Sequence, residues 1–136
     1  MIKHFKFWLM VIGVLFFVAC GSSDSSSSSA SSLIEGKTFY YEVDYSGYKT
    51  VSFNNGTSVH KVFYSTGDIT GDVTVDYVES DTYTDTYTLS GDRITSDGQE
   101  AIVSSTSNGI KMSNPNDVLQ AKYYYNTLAD AQNANQ

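Results

Sequence analysis

Hydrophobic and polar residues alternate with a period of two in several runs of the chain after position 37. The clearest runs cover residues 39–45, 73–77 and 83–89. Alternation of this kind is typical of β-strands that have one buried and one solvated face. The abundance of Tyr, Thr and Val agrees with this interpretation, because these side chains suit a pleated, half-buried surface. The pattern therefore predicts an all-β domain.

Short turn signals separate the alternating runs. They are Ser46-Gly47, Asn55-Gly56, Gly67-Asp68, Ser80-Asp81, Gly91-Asp92, Asp97-Gly98 and Asn108-Gly109. Most of the intervals hold one strand and a turn, but not the crossover of about a dozen residues that parallel pairing requires. We therefore predict an antiparallel meander of about eight or nine strands. Their expected positions are 38–45, 48–53, 58–65, 70–79, 82–89, 92–96, 100–105, 109–113 and 118–126.

A meander of this length leaves two strand edges to protect. Closure into a barrel removes both edges, and about eight strands enclose either a packed interior or one small ligand. We expect a small barrel, with a two-sheet β-sandwich as the alternative. After the last strand, Thr127 can cap a short helix at 128–133, with Asp130 in its first turn.

The N-terminal residues have the pattern of an export signal. Lys3 and Lys6 precede an apolar run at 7–18, which is shorter than the roughly 20 residues needed to span a bilayer. The segment ends in Phe17-Val18-Ala19-Cys20, which resembles the lipobox of bacterial lipoproteins.

In that family the cysteine sulfur receives a diacylglyceryl group, the chain is cleaved before it, and the new N-terminus is acylated. The resemblance implies that residues 1–19 are a signal peptide, that Cys20 is lipidated, and that the membrane is a partner through this lipid. Gly21 follows the cysteine where Asp would imply retention in the inner membrane. The implied location is therefore the bacterial cell envelope, at the outer membrane.

Serine dominates the segment that follows. Nine of the twelve residues between Gly21 and Ser32 are serine, and such a segment cannot bury apolar surface. We predict that residues 20–32 form a flexible tether and that 33–136 form a single β domain.

A second resemblance begins after the serine-rich leader. Gly36-Lys37-Thr38-Phe39-Tyr40, the repeated hairpins, and a tyrosine-rich last strand before a short helix resemble small bacterial lipocalin-like lipoproteins. The resemblance implies a barrel and a small apolar ligand.

The charge of the mature chain limits its partners. Removal of residues 1–19 takes away two of the eight basic residues and none of the fifteen acidic ones, so the formal charge falls from −7 to −9. This charge argues against nucleic acid, because phosphate contacts need Lys and Arg. It is compatible with a basic partner protein of the envelope. Cys20 is the only cysteine, so a lipidated chain has no thiol for disulfides or metal ligation.

Candidate chemistry is sparse. His60 is the only histidine after the signal segment and is interpreted as an ordinary strand residue. One histidine cannot form a His-rich zinc site, and no Gly-x-Ser-x-Gly elbow occurs. Asp68 and Asp72 do not have the spacing of an EF-hand and are interpreted as turn residues. We therefore expect no catalytic residue, no metal and no cofactor.

Two charged residues share a predicted strand face with apolar or aromatic residues. Asp85 shares a strand face with Tyr83 and Tyr87, and Lys61 shares one with Phe63. If these faces point inward, the charges need partners. Our hypothesis is a polar, ligand-facing site in a tyrosine-lined barrel mouth, formed by Tyr41, Lys61, Phe63, Tyr83, Asp85 and Tyr87.

Three functions fit these features. The first is a lipid-anchored, non-enzymatic binding or envelope-structural module. The second is an acidic inhibitor or accessory protein that binds a basic envelope enzyme. The third is a carboxylate-dependent hydrolase, which requires two acidic side chains about 5–10 Å apart.

Overall fold

The structure, a computed structural model, describes residues 28–66 and 76–136. The described elements are α1 (Ala30–Ile34), β1 (Thr38–Asp44), β2 (Gly47–Asn54), β3 (Thr57–Ser65), β4 (Tyr77–Thr86), β5 (Thr88–Ser90), β6 (Arg93–Ser96), β7 (Gln99–Thr106), β8 (Gly109–Asn114), β9 (Asp117–Tyr125) and α2 (Leu128–Ala134). The predicted signal peptide, Cys20, the predicted turn at Gly67-Asp68, Asp72 and residues 70–75 of one predicted strand lie outside the described residues.

The nine strands of the described residues all belong to one antiparallel sheet. Its order is β4-β3-β2-β1-β9-β8-β7-β6-β5, so that neighbours in sequence are neighbours in space. The first and last described strands meet where β1 pairs with β9, at Tyr40 and Tyr125. The predicted all-β meander with a C-terminal helix is confirmed. The described strands form one sheet and not the two sheets of the β-sandwich alternative.

The sheet is strongly curved but is not closed by hydrogen bonds. Its two end strands, β4 and β5, are joined by the single residue Tyr87. In a flat sheet, eight steps of about 4.8 Å would place these ends roughly 38 Å apart. The two peptide units between Thr86 and Thr88 span at most about 7 Å. The sheet must therefore curl until its ends meet at Tyr87, although no β4–β5 ladder completes the expected barrel.

A β-bulge replaces one predicted turn. The sequence predicts that Ser80-Asp81 separates two strands, at 70–79 and 82–89, but β4 continues through both residues to Thr86. Val62 pairs with Asp81 and Phe63 with Glu79, so Ser80 is the extra residue. A bulge absorbs one residue without ending the strand. The prediction of a turn at this point is therefore wrong.

The Asn55-Gly56 turn fixes the register between β2 and β3. Both residues have positive φ, 47° and 77°, as a two-residue hairpin loop of type I′ requires. Asn54 therefore pairs with Thr57, and Val51 with His60. Paired residues project from the same face of the sheet, so this turn decides which side chains of β3 point inward.

The hydrophobic core fills the inside of the curve near α1. We call the side of the sheet that carries Phe39, Val51 and Val103 the inner face. The buried cluster consists of Ala30, Ile34, Phe39, Tyr41, Val51, Phe53, Tyr87, Ile94, Val103 and Ile110. Tyr87 packs edge-on against Phe53, with ring centroids 5.4 Å apart, and thereby ties the junction of the two sheet ends to β2.

Helix α1 corrects the predicted boundary between tether and domain. Ser29 caps the helix by accepting a hydrogen bond from the Ser32 amide at 3.4 Å. Ala30 and Ile34 lie one turn apart and are both fully buried. The Ala30 amide also donates to the Gly91 carbonyl at 2.8 Å. Residues 29–32 thus belong to the folded domain, because two apolar residues at helical spacing complete the core.

Helix α2 packs against β1 and β9, the first and last strands in sequence, which are neighbours in the sheet. The Thr127 hydroxyl accepts a hydrogen bond from the Asp130 amide at 3.1 Å, which confirms the predicted cap. Ala131 is fully buried, and Asn135 donates to the Val43 carbonyl at 2.6 Å. Neither described helix has the length and apolar character that a membrane span requires.

Candidate functional site

The inner face changes character away from α1, where polar and aromatic side chains replace the aliphatic core. Four of the predicted ligand-facing residues, Tyr41, Tyr83, Asp85 and Tyr87, belong to this side of the sheet. The assignment follows from the pairing of Val51 with His60, of His60 with Tyr83, and of Ser58 with Asp85. Tyr41 is buried, with 3 % of its surface exposed, whereas Tyr83 has 42 % of its surface exposed. The cluster therefore extends from the core to solvent.

His60 is the centre of this cluster. Its Nδ1 lies 2.9 Å from the Tyr41 hydroxyl, and its Nε2 lies 3.3 Å from the Ser58 hydroxyl. The carboxylate of Asp85 is 3.6 Å from the same Nε2. The imidazole ring stacks on Tyr83 with centroids 4.7 Å apart and planes inclined by 2°. We refer to these five residues as the His60 cluster.

The protonation of His60 follows from its surroundings. Burial lowers the pKa of His60; Asp85 opposes this effect, while Lys122 and Lys49 reinforce it. Because a carboxylate can only accept, the neutral imidazole carries its proton on Nε2 beside Asp85, and Nδ1 accepts from Tyr41. Burial, together with the Tyr83 hydroxyl, raises the pKa of Tyr41. Both groups are therefore held neutral at pH 7.

A second cluster joins three strands next to Tyr41. The two oxygens of Glu42 accept separate hydrogen bonds from Lys49 on β2 and Lys122 on β9. Lys122 also lies over the Tyr41 ring, with its Nζ 4.7 Å from the ring centroid. Burial by itself would raise the pKa of Glu42, but the bonds from Lys122 and Lys49 outweigh it and lower that pKa. We refer to Lys49, Glu42 and Lys122 as the lysine–glutamate triad.

The triad depends on a strained backbone position. Glu42 has a φ of +48°, and the β1–β2 register shifts between Tyr41 and Asp44. A non-glycine residue in this region costs on the order of 1 kcal/mol, and such strain is frequent where a side chain serves a function. The bulge turns the Glu42 carboxylate towards Lys49 and Lys122, where regular alternation would have directed it to the other face.

An open cavity lies next to the triad, on the part of the sheet formed by β7, β8 and β9. Its volume is about 440 Å³, and it is lined by residues of β7, β8 and β9. Ala101 and Met112 supply apolar surface, Gln99 and Gln120 supply amides, and Tyr124 supplies an aromatic ring, while Lys122 also belongs to the lysine–glutamate triad. The Tyr124 ring lies 5.1 Å from the Tyr41 ring. The His60 cluster, the triad and this cavity together form what we call the inner-face site.

The arrangement of side chains around His60 differs from that of a nucleophilic catalytic triad. In a Ser-His-Asp triad the serine and the carboxylate contact opposite nitrogens of the imidazole. Here Ser58 and Asp85 both approach Nε2, and Nδ1 is bonded to Tyr41. Among residues 28–66 and 76–136, no three or more His, Asp or Glu side chains are grouped as metal ligands.

Two predicted site residues lie on the outer face. Lys61 is paired with Glu79, with Nζ and Oε2 2.9 Å apart. Phe63 stacks on Tyr48 with centroids 4.7 Å apart. The structure therefore does not bring Lys61 and Phe63 together with Tyr41, Tyr83 and Asp85.

Tyr87 is on the inner face but serves the core. It is buried, and its hydroxyl donates to the Glu35 carboxylate at 2.5 Å. Burial and this bond raise the pKa of Tyr87 to about 12. Its contacts are with the α1 end of the molecule and not with the His60 cluster.

Five residues of the His60 cluster and the triad are not among the predicted site residues, namely Ser58, His60, Glu42, Lys49 and Lys122, and neither is the cavity residue Tyr124. A sequence signal existed for His60. A two-residue Asn-Gly loop forces Asn54 to pair with Thr57, and counting back places His60 opposite Val51 on the buried face. The Glu42 bulge left no comparable signal, because no Gly or Pro marks it.

The comparisons with known proteins give no further assignment. The chain matches no protein-family model, no curated protein and no solved structure.

Proposed function

We propose that this chain is an exported, lipid-anchored bacterial lipoprotein whose β domain is a non-enzymatic binding module for a small ligand at the inner-face site. The observation that carries the binding proposal is the continuity of the site. The two clusters adjoin a cavity of about 440 Å³, because Lys122 and Tyr124, which line this cavity, both contact the ring of Tyr41. Sites for small molecules usually have volumes of about 300–1,000 Å³ and combine apolar walls with a few placed polar groups.

The cost of these side chains supports a functional role. A half-buried imidazole, a buried tyrosine hydroxyl and a carboxylate at positive φ are each less favourable for folding than apolar residues at the same positions. The aliphatic core near α1 is formed without them. Positions where local rules are broken within an otherwise regular fold are often functional.

Carboxylate-dependent hydrolysis has less support. Such a reaction needs two acidic side chains placed across a substrate, one with a raised pKa. Of the carboxylates in the two clusters, Glu42 is bonded to two lysines that lower its pKa, and Asp85 faces His60. These carboxylates are engaged with basic groups, which suits recognition better than general acid catalysis.

The binding proposal can be tested with a pair of substitutions on β8. Met112 lines the cavity, whereas Lys111 precedes it on the same strand and pairs with Tyr123. Met112→Trp should fill the cavity, and Lys111→Trp should add the same side chain on the opposite face. The full chain extracted in detergent would be screened by amide NMR shifts against a fragment library of acidic, basic and neutral compounds.

We expect fragments to shift inner-face amides of the wild type and of Lys111→Trp, and to lose this effect in Met112→Trp. The Lys111→Trp protein also shows whether an added indole disturbs the fold. The binding proposal is refuted if no fragment shifts an inner-face amide, or if both tryptophan variants weaken the same fragments equally.

The anchor proposal rests on the lipobox resemblance at residues 17–20 and needs its own test. Two or more acyl chains hold a protein on a membrane stably, at about 0.8 kcal/mol per buried CH₂, whereas one chain does not. Cys20→Ser should abolish incorporation of labelled fatty acid and release the protein from the lipid-anchored fraction, while Ser22→Ala should have no effect. Equal fatty-acid labelling of Cys20→Ser and wild type would refute the lipid anchor.

A further inference from the structure

Strand β4 is a long free end of the sheet. It pairs with β3 on one side, and within the described residues no strand pairs with its other side. Every residue from Val78 to Thr86 is exposed. The opposite end strand, β5, has only three residues. A row of free backbone N–H and C=O groups is a template for pairing with another strand.

The side chains of β4 define what this edge can accept. Residues 77–86 include three carboxylates, Glu79, Asp81 and Asp85, and no basic residue. Asp81 pairs with Val62, Tyr83 with His60 and Asp85 with Ser58, so these three side chains of β4 share the inner face. The inner-face side chains of β4 are therefore, in order, a carboxylate, an aromatic ring and a carboxylate. Asp85 has 53 % of its side-chain surface exposed.

We infer that β4 accepts an extended segment of a basic partner protein by strand addition. The segment would carry Lys or Arg, an aromatic residue, and Lys or Arg at alternate positions, opposite Asp81, Tyr83 and Asp85. In this recognition mode backbone hydrogen bonds supply affinity and alternate side chains supply specificity. Each cross-strand charge pair contributes about 1.4- to 5-fold in affinity. The inference does not depend on a small ligand at the inner-face site.

A second copy of this chain fits the edge poorly. Antiparallel pairing of two β4 strands centred on Tyr83 places Asp81 of each strand opposite Asp85 of the other. Like charges directly opposite each other destabilise a pair of strands. The strongly acidic chain adds repulsion at longer range. The same carboxylates that oppose self-pairing are complementary to a basic strand.

The probe is the peptide Ac-Thr-Lys-Thr-Tyr-Thr-Lys-Thr-amide, with the corresponding Glu-for-Lys peptide as its charge control. Binding to the detergent-extracted full chain would be followed by amide NMR shifts of residues 78–86 at millimolar peptide. The lysine peptide should bind at least about fourfold more tightly than the glutamate peptide, since two attractive pairs become repulsive.

Backbone methylation separates strand addition from simple charge attraction. Successive N–H groups of an extended strand point to opposite sides. Two versions of the lysine peptide would therefore be N-methylated, one at the odd and one at the even positions. One version should lose binding and the other should retain it. Equal binding of the two versions overturns the inference, because charge attraction alone would then explain the affinity.

Matched variants of the protein complete the test. Asp81→Asn with Asp85→Asn should weaken the lysine peptide by about two- to thirty-fold. Asp97→Asn with Asp117→Asn removes the same charge from other hairpins and should leave the affinity unchanged. Equal losses in both double variants overturn the inference. Self-association of the wild-type protein through β4 would also overturn the inference. So would protection of the β4 amides from hydrogen exchange on both edges of the strand in the free chain.

Discussion

Replacement of Ile34 by alanine tests whether the end of the serine-rich segment belongs to the hydrophobic core. Ile34 is fully buried in α1 and packs in the main cluster. Loss of three side-chain carbons costs about 2.4 kcal/mol at roughly 0.8 kcal/mol per carbon. The residual cavity raises the usual cost of Ile→Ala to about 2–5 kcal/mol. Alanine recovers a few tenths, roughly 0.4 kcal/mol, as the better helix former. We therefore expect the free energy of unfolding to fall by about 2–4 kcal/mol.

The assay is urea unfolding of the full chain in detergent, followed by far-ultraviolet circular dichroism. With an m-value of about 1–3 kcal/mol per molar urea, the midpoint should fall by at least about 0.7 M. Ser31→Ala, an exposed substitution in the same helix, should change stability by less than about 0.5 kcal/mol. If Ile34→Ala and Ser31→Ala have the same midpoint, α1 is not docked, and the tether extends as far as the sequence alone suggested.

Three further predictions concern the sheet and the site. Gly109→Ala should destabilise the domain or prevent its folding, because a Cβ there would lie 2.0 Å from the Tyr124 carbonyl oxygen; thermal unfolding and expression yield measure this. Tyr87→Phe should lower the free energy of unfolding by about 1 kcal/mol, the typical net value of one hydrogen bond, since the bond to Glu35 is lost. Stability should fall as pH drops from 7 to 5, because the pKa of His60 lies below its unfolded value and the unfolded chain binds the proton first. His60→Gln should flatten this part of the profile of urea midpoint against pH, and an unchanged slope would remove His60 from the explanation.

The positions of most strands and turns could be predicted because they depend on local rules. Asn55-Gly56 and Asp97-Gly98 adopt positive φ, as their residue types favour. The cap at Thr127 depends on one hydroxyl and the amide three residues later. By contrast, the predicted turn at Ser80-Asp81 is a bulge, because pairing with the whole length of β3 outweighs a weak local turn preference.

The candidate site could be predicted only in part. Of the predicted site residues, Tyr41, Tyr83 and Asp85 lie together, whereas Lys61 and Phe63 lie on the other face. A strand sequence shows which residues share a face, but not which face is buried. Glu42 and Lys122, 80 positions apart, meet through the pairing of the first and last strands and the bulge in β1. Neither feature leaves a local signal.

The sequence alone was enough to predict an all-β, antiparallel meander with a short final helix, since alternation, turn residues and a helix cap act over a few neighbouring positions. The tertiary structure decided that the sheet curls without closing, that α1 completes the core, and that His60 and the lysine–glutamate triad share the inner face. These features depend on contacts between residues distant in sequence, where the burial of apolar surface selects one arrangement among several that local preferences allow.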